Sequence, residues 1–148
     1  MIKELIFFNP VLLTVFVSWT IAQTLKFLIC AFKGDINIYN FISTGGMPSG
    51  HSAVVSALAM AVGLSSGFNS PLFGVTIAIA IIVMHDAVVI RGAAGKQAQI
   101  LNRVIDKFQN EFKYHHLKVK LGHTPFEVAI GSLLGIGIAL LIWDLLYV

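Results

Sequence analysis

The chain has 148 residues, of which 57% are hydrophobic and 11% are charged, with a formal net charge of +3 and a mean hydropathy of +0.85. Soluble domains are about 45–50% apolar and about 25% charged, so this composition excludes an ordinary water-soluble globular domain. A chain of this size cannot bury so much apolar surface in its own core, which indicates that lipid is its solvent. The single cysteine, Cys30, excludes an internal disulfide.

Four apolar runs predict helices that cross a membrane, at residues 11–32, 52–68, 71–90 and 126–148. A spanning helix needs about 17–25 mostly apolar residues, and its backbone groups must be hydrogen-bonded within the segment. The second run is short and rich in small residues, so we expect it to pack among the others. The predicted fold class is all-α, a polytopic membrane helix bundle with one domain over residues 1–148.

The distribution of basic residues predicts the orientation in the membrane. Eight of the ten Lys and Arg residues fall in segments 33–51 and 91–125, whereas the side that holds both termini has only Lys3. Basic loops stay in the cytoplasm, so we place these two segments there and both termini outside. The expected location is a bacterial cytoplasmic membrane, with any site built from these segments facing the cytoplasm.

Residues 97–112 predict a cytoplasmic amphipathic helix that follows the third span. Two arrangements would bury its apolar face: contact with an anionic lipid surface, or packing over the ends of the spans. The pattern does not choose between them. The apolar residues that share the face are Leu101, Val104, Ile105, Phe108 and Phe112.

Residues 44–52, Thr-Gly-Gly-Met-Pro-Ser-Gly-His-Ser, precede the second span and have the character of an anion-binding turn. Glycines permit close backbone approach to a ligand, and Pro48 and Ser49 suit the start of a helix. The free N–H groups at that start favour a phosphate, with His51 beside it in the first turn. The alternative is a glycine turn with a serine cap and an interfacial histidine.

Residues 122–127, Gly-His-Thr-Pro-Phe-Glu, begin the fourth span. His123 and Glu127 are four residues apart, so they share one side of a helical turn. A carboxylate on one ring nitrogen would leave the other nitrogen free as a nucleophile. The alternative is that Thr124 and Glu127 form a capping box, in which Glu127 bonds the backbone and never touches His123.

Two cations and two neighbouring polar residues complete the candidate set. Lys26 lies within an apolar run, where a charge is costly and usually functional, although it could also reach toward the interface. Arg91 closes the third span and could anchor it or pair with Asp86. We interpret His85 and Asp86 as hydrogen-bonding support.

The predicted topology brings four separate segments to the same membrane face. They contribute Lys26, His51, Arg91 and His123, and their convergence favours an active site over four unrelated structural features. A metal site at the adjacent His115 and His116 is not expected, because no carboxylate or thiolate cluster is near them in the sequence.

These motifs resemble those of the type 2 phosphatidic acid phosphatase superfamily, which also includes vanadium haloperoxidases and acid phosphatases. The likeness is greatest to its small divergent membrane branch and covers nearly the whole chain. The superfamily's second motif, Pro-Ser-Gly-His, matches Pro48 to His51 in full. The third motif ends in His-x-x-x-Asp and is similar to His123-x-x-x-Glu127.

The first motif, Lys-x6-Arg-Pro, is matched at Lys26, but Lys33-Gly34 stand where Arg-Pro would be. The third motif's arginine, six residues before the histidine, is replaced by Leu117. Arg91 could supply that guanidinium, with residues 92–122 as an insertion. The other candidates are Lys118 and Lys120, which are point charges rather than planar forks.

The resemblance implies metal-independent dephosphorylation of a lipid phosphate monoester, without a cofactor, through a phosphohistidine. His123 would be the nucleophile, with Glu127 orienting its ring and His51 serving as general acid and then base. The implied phosphate-binding groups are Lys26, Arg91 and the backbone of Ser49 and Gly50.

The expected partners are the lipid phosphate substrate and the bilayer, with no nucleic acid. A cytoplasmic site favours phosphatidylglycerophosphate as substrate, and a site on the outer face would favour undecaprenyl pyrophosphate. A non-catalytic lipid-phosphate binding, transport or scaffold protein is the rival, and a vanadate-dependent haloperoxidase is a weaker third choice. The small-residue stripe Gly131, Gly135 and Ala139 allows close helix packing within the chain or in a homo-oligomer.

Overall fold

The computed structural model describes residues 9–32, 34, 46–107, 115–119 and 121–147. Every regular element in these ranges is helical, which confirms the all-α prediction. In chain order the elements are α1 (Pro10–Phe32), α2 (Gly50–Ser66), α3 (Pro71–His85), a π-helical segment (Asp86–Ile90), α4 (Arg91–Lys107) and α5 (Pro125–Tyr147).

Three helical stretches in the described part of the chain are long and apolar enough to cross a membrane. They are α1, α5 and the continuous 37-residue stretch Pro71–Lys107. Helix α2 has only 17 residues, or about 25 Å at 1.5 Å per residue. It packs against α1, α3 and α5. The expectation that the short second run lies among the other helices is therefore confirmed.

The turn between α2 and α3 is set by local capping. Gly67, with a φ of +90°, ends α2 and donates its N–H to the carbonyl of Gly63. The Ser70 hydroxyl accepts the N–H of Phe73 at 3.2 Å, and Pro71 occupies the first helical position, where its missing N–H costs no hydrogen bond. The two helices are consequently joined by a short, fixed connection.

The small-residue stripe of α5 packs within the chain, against α2. A Cβ added to Gly131 would lie 2.4 Å from the carbonyl oxygen of Ser49, and one added to Gly135 would lie 2.1 Å from that of Ala53. Both distances are far below van der Waals contact, so α5 approaches the backbone of α2 only because these positions have no side chain. This contact holds the start of α2 next to the start of α5.

The amphipathic helix that follows the third span differs from the prediction in two ways. It begins at Arg91 and continues directly from α3 through the π segment, giving a helical stretch of about 55 Å, longer than the roughly 30 Å hydrocarbon core. Its buried residues are Gly95 and Ala98, whereas Leu101 and Val104 are 50% and 47% exposed. Packing of the predicted apolar face over the span ends is thus not observed among the described residues.

The α2–α5 contact predicts that Gly135→Ala destabilises the protein by about 1–3 kcal/mol, because the new methyl group forces the two backbones apart. Thermal unfolding of the detergent-solubilised protein would show this as a lower Tm. Gly137→Ala is the matched control on the same helix, since its added Cβ meets nothing within 4 Å. Equal melting temperatures for the two variants would contradict the packing described here.

Candidate active site

Two histidines from different parts of the chain face each other at one end of the bundle. His51 lies in the first turn of α2, and His123 lies two residues before α5. Their ring centroids are 6.2 Å apart, with the ring planes at 64°. The Ser49 N–H donates to the Glu127 carbonyl at 3.2 Å, so the two helix starts that carry the histidines are tied directly together.

The His123 ring is buried and has two chemically distinct nitrogens. The residue is 6% exposed, and Nδ1 lies 3.3 Å from Oε2 of Glu127. Nε2 is also buried and has no hydrogen-bond partner in the part of the chain that the structure describes. A carboxylate accepts but does not donate, so it fixes the proton on Nδ1 and leaves the lone pair of Nε2 free.

Glu127 performs both of the roles that the sequence presented as alternatives. Its Oε2 accepts the N–H of Thr124 at 2.9 Å, while its own N–H donates to the Thr124 hydroxyl at 3.2 Å, which is a complete capping box. The same oxygen contacts His123. The box therefore does not compete with the histidine contact, because it holds the carboxylate in place for it.

Burial lowers the pKa of His123 from its ordinary value, since the charged imidazolium is poorly solvated inside the protein. The hydrogen bond and the charge of Glu127 oppose this shift, and the nearby cations Lys26 and Arg91 add to it. The net effect favours the neutral ring at neutral pH. Neutral imidazole is the form that can act as a nucleophile.

The π segment supplies the backbone acceptor that positions His123. The Arg91 N–H bonds to the carbonyl of Asp86 instead of the Ala87 carbonyl that an α-helix would use. The Ala87 carbonyl instead accepts the His123 N–H at 2.9 Å. The Arg91 side chain turns back in the same segment and bonds Asp86, with Nε 2.8 Å from Oδ2.

The segment before His123 runs back along α4. The Asn102 side chain bonds both backbone groups of Leu117, accepting its N–H at 2.8 Å and donating to its carbonyl at 2.9 Å. Gly122, with a φ of +86°, then lies so close to Gly92 that an added Cβ would be 2.7 Å from the Gly92 nitrogen. Helix α4 is therefore a support along which the chain returns to the site.

Lys26 completes the convergence that the topology predicted. It is 2% exposed, so it lies inside the bundle and does not reach out toward the interface along the lipid-facing surface. Its charge interacts with Glu127, and both Lys26 and Arg91 act electrostatically on His51 and His123. The structure thus brings together cations and histidines from four separate segments.

The start of α2 presents backbone donors beside the histidines. Ser49 caps the helix through its buried hydroxyl, which accepts the N–H and the hydroxyl of Ser52. The Ser49 N–H itself is engaged by the Glu127 carbonyl. The first-turn amides of Gly50 and His51 are therefore the groups at this helix start that an anion could use.

A groove of about 570 Å³ opens beside His51. Its lining combines polar and apolar side chains, as is usual for sites that bind small molecules. The polar lining residues are His51, His85, Asp86 and Arg91, and the apolar ones are Ile81, Ile82, Val83 and Ile90.

Other residues from the sequence predictions lie elsewhere. Leu117 and Lys118 are exposed, and so is His116, which pairs with Asp106 at 2.9 Å. Several predicted residues lie outside the described residues, namely Lys33, Thr44, Gly45, Phe108, Phe112, Lys113 and Lys120.

This architecture is that of a helical membrane protein with a paired-histidine, cation-lined site. The chain belongs to the Divergent PAP2 family, whose model matches residues 7–138. A relative in Bacillus subtilis (strain 168), the uncharacterized membrane protein YuiD, is 42% identical over 113 residues, which cover 68% of this chain and 72% of the relative. No solved structure matches the chain.

The environment of His123 predicts that Glu127→Gln lowers the pKa of this histidine further, because the carboxylate opposes the effect of burial. Histidine-selective NMR titration in detergent measures this directly, with the resonance assigned through His123→Ala. Asp106→Asn is the matched carboxylate-to-amide control and should leave the His123 titration unchanged, since Asp106 contacts His116. A higher or unaltered pKa in Glu127→Gln would contradict the Nδ1 contact.

Proposed function

We propose that this protein is a metal-independent lipid phosphatase that hydrolyses a phosphate monoester through a phosphohistidine on His123. One observation carries the proposal: His123 is bonded to Glu127 through Nδ1, its buried Nε2 has no partner among the described residues, and its ring centroid lies 6.2 Å from that of His51. Membership of the Divergent PAP2 family supports a phosphatase-type chemistry.

In the first step, Nε2 of His123 attacks phosphorus and the bond between phosphorus and the lipid oxygen breaks. His51 gives its proton to the departing alkoxide, so the lipid leaves as a neutral alcohol. The phosphorylated ring retains its proton on Nδ1 and becomes positively charged, and the Glu127 carboxylate compensates that charge across the 3.3 Å contact.

In the second step, His51 removes a proton from water, whose oxygen attacks phosphorus. The bond between phosphorus and Nε2 breaks, inorganic phosphate leaves, and both histidines return to their starting states. A dianionic phosphate near Lys26 and Arg91 offsets the two cations that act on His51 and favours its protonated form.

Charge on the transferring phosphoryl group requires fixed donors and cations. Lys26 and Arg91 supply the cations, and the amides of Gly50 and His51 supply backbone donors at the positive end of the α2 dipole. Arg91 is held by Asp86 at 2.8 Å, so its guanidinium is oriented before substrate arrives.

The proposed substrate is a membrane lipid, because the groove beside His51 is lined by apolar residues of α3 as well as by polar residues. We propose that this site faces the cytoplasm, and the excess of basic residues in segments 33–51 and 91–125 supports that orientation. Phosphatidylglycerophosphate carries a terminal phosphate monoester at that face, and we propose it as the physiological substrate.

Purified protein in detergent with EDTA should release phosphate from phosphatidylglycerophosphate. His123→Ala and His51→Ala should each lower the rate by at least about 100-fold, since nucleophilic and general-acid roles contribute on this scale. The measurement is phosphate release from a panel that includes phosphatidic acid and undecaprenyl pyrophosphate. Acid-labile phosphate on wild type, absent from His123→Ala, would identify the intermediate.

His115→Ala is the matched control, because His115 is an exposed histidine with no role in the proposed mechanism. It should retain wild-type activity. Turnover that survives His123→Ala would sink the proposed mechanism. A folded protein that binds these lipids without releasing phosphate would instead establish the non-catalytic binding or transport alternative.

The cytoplasmic orientation has its own test. In a Cys30→Ser background, Asn69→Cys should react with a membrane-impermeant maleimide on intact cells, whereas Lys118→Cys should react only after lysis. Both positions are exposed, so the two variants differ in side and not in accessibility. The opposite labelling pattern would place the site outside and favour undecaprenyl pyrophosphate as the substrate.

A further inference from the structure

Gln23 has a buried polar group that the proposed mechanism does not use. It lies on α1, one turn before Lys26, and is 7% exposed. Its Oε1 is buried and has no hydrogen-bond partner within the described ranges. A buried amide oxygen without a partner costs free energy, so its presence requires an explanation.

The Gln23 side chain is directed at the proposed phosphate-binding turn. A Cβ built on Gly50 would lie 3.5 Å from Oε1 of Gln23, and one built on Gly46 would lie 4.0 Å from Cγ of Lys26. Successive turns of α1 therefore face the glycines at the start of α2. A larger residue at Gly50 would fill the space between the amide of Gln23 and the helix start.

The described residues contain three buried side-chain polar atoms without a partner: Nε2 of His123, Oε1 of Gln23 and Oγ of Ser18. The first two belong to residues that meet the same helix start: Gln23 lies beside Gly50, and the Glu127 that contacts His123 accepts the Ser49 N–H through its carbonyl. The missing hydrogen bond at Nε2 of His123 is explained by the proposed role of that nitrogen as the nucleophile. The missing hydrogen bond at Oε1 of Gln23 indicates a ligand at the same site.

We infer that Gln23 contacts the phosphate group of the substrate. The inference rests on the proposed function and adds a neutral hydrogen-bonding group to the two cations. Oε1 of Gln23 accepts a hydrogen bond from the P–OH group of a phosphate monoanion. With the amide turned by 180°, its N–H instead donates a hydrogen bond to a phosphate oxygen. Either contact gives the Gln23 amide a hydrogen bond that it lacks when no ligand is bound.

The test is equilibrium binding of inorganic phosphate and of a short-chain phosphatidic acid, read as ligand-dependent thermal stabilisation in detergent. Gln23→Met preserves the length of the side chain and removes both hydrogen-bonding atoms. We expect it to weaken both ligands by about tenfold or more, while the Tm without ligand is unchanged or higher because an unsatisfied polar group is gone.

Ser18→Ala is the matched control, since Ser18 Oγ is also buried on α1 without a partner among the described residues, but lies more than one turn further from Lys26. It should leave both affinities at the wild-type value. Gln23→Glu, of the same shape, should weaken binding more than Gln23→Met does, because its charge repels the anion. This second variant keeps the test decisive if Gln23→Met does not fold.

Wild-type affinity in both Gln23 variants would overturn the inference, and so would a wild type that phosphate does not stabilise. Weakened binding of the lipid alone would assign Gln23 to the glycerol or chain and would also overturn it. Binding is measured in the His123→Ala background as well, so this readout does not require turnover. Absence of turnover would defeat the proposed function while leaving the Gln23 result intact.

Discussion

The position of His123 depends first on a backbone hydrogen bond from its own N–H to the Ala87 carbonyl. An uninterrupted α-helix would use that carbonyl internally, for the N–H of Arg91. The π segment redirects the Arg91 N–H to Asp86 and so provides an acceptor for a chain segment from outside the helix. One local irregularity thereby fixes the backbone of the proposed nucleophile and the origin of the proposed phosphate-binding arginine.

The inner face of α1 is unusual for a membrane helix because most of it is polar. Its buried residues are Thr14, Ser18, Ala22, Gln23 and Lys26. Apolar burial gives little driving force between helices in lipid, so close packing of small residues and polar contacts take its place. The glycine contacts between α5 and α2 provide the packing, and α1 adds a buried charge and amide at the end where the histidines meet.

The sequence predicted the helical bundle and the proximity of Lys26, His51, Arg91 and His123, because span length, charge bias and motif position are all local signals. It did not predict the π segment. On an α-helix, residues five apart are separated by about 140° around the axis, so Asp86 and Arg91 would not meet. Their pairing, which the sequence offered as one role of Arg91, requires the wider turn of the π segment.

Two further features depended on tertiary contacts that no local pattern contains. In the sequence, Asn102 is an ordinary polar helix residue. The structure shows that its side chain hydrogen-bonds both backbone groups of Leu117. In the sequence, Gln23 only interrupts an apolar span, whereas the structure places Gly50 next to its amide. Long-range backbone positions decide both roles, so the motifs located the candidate site while the fold defined its supporting residues.

The position of Arg91 supports the proposal that it supplies the guanidinium of the third motif, whose arginine position is occupied here by the exposed Leu117. Arg91 enters the site from the helix that supports His123, and both are anchored within the same π segment. Their relative position is consequently set across a few residues in space, although 31 residues separate them in sequence. A guanidinium fixed in this way does not depend on the path taken by the residues between α4 and His123, which allows that stretch to be long while the geometry of the paired histidines is preserved.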